Sequence, residues 1–354
     1  MRLGLNLGYW GAGNDADNLA LAREADRLGY SVCWAAEAYG SDVPTVLAWV
    51  AAQTERIDVG AAVMQIPART PAMTAMTAAT LDTLSGGRFR LGLGVSGPQV
   101  SEGWHGVRFA KPLGRTREYV DIVRAALRRE RVRYDGKHFQ LPLPDGPGKA
   151  LALTVHPVRD HIPTYLAAIG PKNLELTGEI ADGWLPVFFS PAHAGEQLAH
   201  VRAGAERAGK GADGDALAGF DVVPTVPVLF GDDLDEAALP IRAYAALYVG
   251  GMGSREQNFY NALARRMGFD AEAEQVQNLY LEKQYLEAAM AIPRDFIDQT
   301  SLIGPFERVR DRLQAYADAG VTTLTISPFA HDLDARVETL RKTAEALSAA
   351  GLAE

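Results

Sequence analysis

Glu37, Glu102 and His105 are the side chains best suited, by type and place, to move a proton. Glu37 closes an apolar run in SVCWAAEAYG. A carboxylate at the carboxyl end of a buried strand lies on the side of an α/β protein where chemistry is done. The bland alternative is a helix-capping or solvated acid. Glu102 and His105 flank Trp104 in SEGWHG, just past another apolar run. A flat ring could stack on the indole while the carboxylate or imidazole exchanges a proton. The alternative there is a packing tryptophan beside a surface histidine.

Two glycine-bearing turns could hold a ligand rather than transform it. Gly94, Val95, Ser96, Gly97 and Pro98 end one apolar run, leaving backbone N–H groups free to meet an anion or a ring carbonyl. Ile169, Gly170, Pro171, Lys172 and Asn173 follow another run and open a helix, whose N-terminus favours phosphate. Neither is a dinucleotide fingerprint or a phosphate-binding P-loop. Lys172, Lys111 and Arg115 could meet a phosphorylated, acidic tail, although such side chains are more often solvated. His156, Arg159 and His161 lie close together in VHPVRDHIP. No carboxylate pair or cysteine set joins them, so no metal is expected. A GxSxG nucleophile elbow is absent as well.

These residues need a scaffold, and residues 57–106 supply its unit. An apolar run at 57–63 precedes a helical pattern at 72–84 that opens beside Pro71 and stops at Ser85-Gly86-Gly87. A second apolar run follows at 89–95. The same cadence of helix, glycine and strand recurs in EADRLGYSVCW, LTGEIADGWLPV and AYADAGVTTLTI. Strands are expected at 2–8, 31–36, 57–63, 89–95, 163–168, 183–188, 220–229 and 321–326. Helices are expected at 15–28, 43–54, 72–84, 114–129, 172–180, 191–208, 233–249 and 332–349. Eight alternating units favour a closed (β/α)8 TIM barrel over an open doubly wound sheet, which pattern alone hardly separates from it, and the chain is read as a single domain over residues 1–354. Two inserts interrupt it. Residues 130–161 carry a hairpin signal at Asp135-Gly136, and residues 250–304 form a helical insertion expected to wall the pocket.

Composition narrows the function. A chain of 354 residues with 47% hydrophobic and 22% charged residues buries a large core. A formal net charge of −9 argues against a general nucleic-acid or membrane surface. The single cysteine, Cys33, excludes an intramolecular disulfide. With no apolar run of membrane-spanning length and no signal-peptide pattern, a cytoplasmic enzyme acting on a small molecule is expected.

The wording of three segments carries a resemblance. GAAV with the following Pro67 and Pro71, LDTLSGGRFRLGLGVSGPQVSEGWHG, and AAIGPKNLELTGEIADGWL resemble the luciferase-like flavin and deazaflavin oxidoreductases over nearly the full chain. The SGPQVSEGWHG wording is closest to the branch that uses coenzyme F420. The resemblance implies a dimeric TIM barrel with the tricyclic ring in its mouth. It also implies a non-prolyl cis peptide at Ala62-Val63 and ring contacts from Val95, Ser96 and Gly97. Ile169, Gly170 and Pro171 would hold the ribityl-phosphate arm, and Glu37 would face the ring. Ala38 and Gly97 stand where the sugar-phosphate dehydrogenases of that branch have a histidine and a glutamate, so that acid-base pair is missing. Three readings stay open: a coenzyme F420-dependent oxidoreductase, an FMN-dependent monooxygenase, and a non-catalytic flavin-binding protein.

Overall fold

The computed structural model describes residues 1–10, 15–212 and 214–354. Eight βα units follow one another. The strands are β1 (Arg2–Gly8), β2 (Val32–Ala35), β3 (Asp58–Ala61), β4 (Phe89–Gly94), β5 (Thr164–Leu166), β6 (Gly183–Trp184), β7 (Thr225–Phe230) and β8 (Thr323–Pro328). Their partner helices are α1 (Asp15–Leu28), α2 (Val43–Ala51), α3 (Pro71–Leu84), α4 (Pro112–Leu127), α5 (Pro171–Ile180), α6 (Ala194–Arg207), α7 (Phe306–Asp318) and α8 (Leu333–Ala349).

All the barrel pairings are parallel. β1 pairs with β2 and β8, and the order β2-β3-β4-β5-β6 continues the wall. The run 221–230 closes it. Asp221 and Val222 pair with β6, while Thr225 to Val228 pair with β8. The expected (β/α)8 barrel is therefore the observed fold. Among the described residues no helix is long and apolar enough to cross a membrane.

Alternation along the strands sorts the side chains. Leu3, Leu5 and Leu7 of β1 point outward into the main core under the helices. The inward set is a plug of Val32, Trp34, Tyr165, Leu185 and Val223, against which Ala62, Val63 and Ala167 pack. Trp34 and Tyr165 meet edge to face, 5.2 Å between centroids. Glycine makes the room: a Cβ at Gly60 would lie 2.4 Å from the Trp34 ring, and one at Gly92 would lie 1.8 Å from the carbonyl oxygen of Ala61. Below the plug, Arg90 pairs with Asp58 (2.8 Å) and Asp221 (3.3 Å), and Asp221 also accepts from the Tyr165 hydroxyl. This satisfied polar layer seals the amino-terminal end.

Three departures from the sequence reading have local causes. The helix at Leu234–Ala246 is not the seventh outer helix. It begins the insertion, which runs through helices Phe259–Arg266, Asp270–Leu281, Tyr285–Ala291 and Arg294–Thr300. Its apolar faces form their own core around Ile241, Val249, Val276, Phe296 and Ile297, so helical periodicity could not tell it from a barrel helix. Leu302–Gly304, read as the end of the insertion, is a short strand on β7. Pro98–Gly103 is a helix where only a turn was expected. The hairpin forms where its glycine signal lay, with Tyr134 opposite Leu141.

Candidate active site at the barrel mouth

β3, β4 and β5 are neighbours, so the loops at their carboxyl ends meet. They bring together Ala62 and Val63, Val95 to Gly97, and Ile169 to Asn173. The Ala62-Val63 peptide is cis. Val63 lies over β4, where a Cβ on Gly94 would come within 2.5 Å of its side chain. Ser96 takes a left-handed backbone conformation (φ 62°) and donates from its hydroxyl to Gln65 Oε1 at 2.8 Å.

The next loop rests on a helix start. Gly170 is the N-cap of α5, with φ −85° and no side-chain cap, so the first-turn amides lack the usual side-chain acceptor. A Cβ on Gly170 would meet nothing within 4 Å, and one on Gly97 only Gln99 at 3.6 Å. Both glycines border open space. Beside Gly170 a small, shallow cleft is lined by Ile169, Pro171, His193, Glu196, His200 and Arg266, among others. Lys172 is exposed and turned to Glu175 on its own helix (3.1 Å), and the Asn173 amide donates to Gly170 O. Of the other two cations read at the mouth, Arg115 stacks on Phe139, and Lys111 sits at the N-cap position of α4 in a left-handed backbone conformation with no side-chain cap bond.

The expected proton carriers fare differently. The Glu37 side chain is only 6% exposed, and its carboxylate is fully engaged. It accepts from Arg69 through both guanidinium nitrogens, from the Gln65 amide at 2.9 Å and from the Val43 amide at 3.2 Å. Burial pulls the Arg69 pKa down, but the carboxylates of Glu37 and Asp42 more than offset this and raise it. A carboxylate so held is a clamp between the β2 and β3 loops, not a free base. Glu102 turns away to accept from the Phe109 amide at 3.0 Å and from Arg108. Trp104 is 68% exposed. His105 alone of the three keeps an open function. Its Nε2 is buried and has no partner among the described residues.

Against the family models, residues 8–323 match the luciferase-like monooxygenases. The chain belongs to this family. A Mycobacterium tuberculosis relative named as a coenzyme F420-dependent oxidoreductase is 44% identical over 332 residues, 92% of this chain and 95% of that one. A 5,10-methylenetetrahydromethanopterin reductase of Archaeoglobus fulgidus is 28% identical over 90% of this chain and 91% of its own length. The coenzyme F420-dependent tetrahydromethanopterin reductase of Methanopyrus kandleri superposes with a TM-score of 0.81, covering 97% of both chains at 24% identity. That last likeness bears on the fold alone.

Within this luciferase-like barrel, two site residues were not read from the sequence. Gln65 joins Glu37, the Ala38 carbonyl and Ser96, and so ties three loops together. Arg69 holds Glu37 and Asp42. Both sit in MQIPART, which reads as a connecting loop. The one available signal was a glutamine and an arginine set among apolar and small residues. His161 pairs with Asp182 (3.0 Å), and Arg159 with the fully buried Asp82, so the VHPVRDHIP cluster ties a loop to the barrel wall.

Proposed function

We propose that this chain is a coenzyme F420-dependent oxidoreductase, moving a hydride between the coenzyme and a small organic substrate. The observation that carries the reading is the 44% identity, over almost the whole of both chains, to a relative named for that coenzyme. The mouth suits such a group. Open space borders Gly97 and Gly170, the start of α5 has no side-chain cap, and His193, His200 and Arg266 line the adjoining cleft beside the single carboxylate Glu196, a lining that can meet a phosphorylated, acidic tail. Bound there, the deazaflavin would supply the hydride chemistry, with carbon in place of the flavin's reactive nitrogen. The chain's own part is orientation. Ala62, Val63 and Ala167 would floor the ring, Val95 to Gly97 would border its edge, and Ile169 to Asn173 would hold its arm. The Glu37–Arg69 clamp fixes Gln65, which fixes Ser96. His105 is the acid-base candidate, because its ring nitrogen is not engaged elsewhere. A homodimer fits the exposed Trp49, Met73 and Met76 on α2 and α3.

Cofactor choice tests the reading. The apo-protein is expected to bind coenzyme F420 at least tenfold more tightly than FMN, a difference of only about 1.4 kcal/mol. Equilibrium titration followed by absorbance and fluorescence measures it. Equal or tighter FMN binding would favour the flavin monooxygenase instead.

A second measurement addresses the α5 turn. Gly170 has an ordinary backbone conformation and free space at its Cβ, so Gly170→Val is expected to fold normally. The new side chain would occupy the approach to the α5 amides and weaken coenzyme binding tenfold or more. Unchanged affinity in a folded variant would reduce this segment to a turn.

A further inference from the structure

Opposite the β3–β5 loops, the mouth has a wall of a different kind. Tyr9 follows β1, Phe188 follows β6 with φ 48°, and Phe329 follows β8. Tyr244, Tyr248 and Tyr260 come down from the insertion. Their rings interlock. Tyr248 lies 4.8 Å from Tyr244, 4.9 Å from Tyr260 and 5.7 Å from Phe188, and Tyr244 lies 5.6 Å from Phe329. The hydroxyls lie near one another as well: that of Tyr248 faces Tyr9, and that of Tyr244 faces Tyr248.

Two further facts point to a ligand surface rather than simple core. First, Tyr244, Tyr248 and Tyr260 are crowded by protein yet each keeps part of its surface open. Tyr9, which meets the Tyr248 hydroxyl, is 42% exposed. The hydroxyl side of the cluster therefore borders solvent. Secondly, the wall carries no charge. Burial pushes the pKa values of Tyr244 and Tyr260 up, and the groups that further perturb them are other tyrosines. Such phenols stay protonated at neutral pH and remain hydrogen-bond donors. A surface of aromatic rings without a fixed cation repays a flat, apolar molecule and penalises an anion, which would have to shed its water with nothing to replace it.

We infer that this wall is the substrate-recognition face, built for a flat, uncharged, largely apolar molecule bearing an oxygen function that the Tyr9–Tyr248 hydroxyl pair holds. The inference rests on the proposed reading of the mouth and adds to it the substrate class. Sugars and phosphorylated or carboxylated substrates are disfavoured by the same wall. The tyrosines are positioning residues here, and the proton transfer assigned to His105 is a separate step.

The test uses the full chain, with and without oxidised coenzyme F420, and three probes of one size: acetophenone, ethylbenzene and benzoate. Ligand-observed NMR and calorimetry give affinities, and carbonyl-¹³C acetophenone reports the hydrogen bond to its oxygen. Acetophenone is expected to bind at least fivefold more tightly than ethylbenzene and tenfold more tightly than benzoate. Tyr248→Phe and Tyr9→Phe should abolish the preference over ethylbenzene and the carbonyl shift change, while ethylbenzene and coenzyme affinities stay within twofold. Tyr260→Phe should leave the preference intact. Benzoate binding as tightly as acetophenone, no probe binding at all, or a preference that survives both tyrosine variants would overturn the inference. If a tyrosine variant fails to fold, the wild-type ranking and carbonyl shift still decide. Failure of coenzyme titration with the probe ranking intact would count against the cofactor reading and leave the wall standing.

Discussion

His105→Asn is expected to lower turnover by about 10²–10⁴-fold at saturating coenzyme, the usual contribution of a general acid or base. The argument is one of elimination by geometry. Of the three residues whose types suited proton transfer, Glu37 is saturated by Arg69 and two backbone amides, and Glu102 is spent on the Phe109 amide and Arg108. His105 Nε2 is buried without a partner among the described residues, a state that costs roughly 1–3 kcal/mol unless a ligand relieves it. Coenzyme affinity should change little, because the hydrogen bond from the His105 backbone amide to Val100 O, which shapes the loop, survives the substitution. The assay needs a turnover substrate, found by screening enones, imines and ketones with reduced coenzyme. Near-native turnover in the variant would remove the histidine from the mechanism.

Glu37→Gln should destabilise the protein by about 3 kcal/mol, the lower end of the range for breaking a buried ion pair. The lower end applies because Arg69 keeps Asp42 as a partner. A neutral amide at this position could not replace the two-point carboxylate contact, and the loosened Gln65 would release Ser96. Denaturant unfolding gives the stability, and coenzyme titration should show weaker binding. A different pattern would reverse the assignment. Full stability with turnover reduced a hundredfold would make Glu37 the proton carrier and the clamp incidental.

The contrast between Glu37 and Gly170 shows how far the chain could be read unaided. Gly170 belongs to a local signal: strand, glycine, proline, helix. Each part of that signal has its meaning within five residues, and the turn is found where it was expected. Glu37 lies past its strand where it was expected, but its engagement was not legible, because its partner Arg69 is 32 residues away. Nothing along the chain says which way a carboxylate points or who meets it. The tyrosine wall is an extreme case. Tyr244 and Tyr248 share a helix face, yet Tyr9 and Phe329 come from opposite ends of the sequence. The insertion misled for a related reason. Its helices are amphipathic like those of the barrel, and periodicity reports that a face is buried without naming its cover.

Periodicity, glycine stops and apolar runs are properties of neighbouring residues, so they locate the eight barrel strands, most of their helices and the two turns that border the mouth, but not the seventh outer helix, Phe306–Asp318, which lies beyond the insertion. Which side chains are engaged and which are free emerges when the barrel is folded. Hydrogen-bond partners, ion pairs and ring contacts are made across the barrel, at sequence separations where local patterning carries no information.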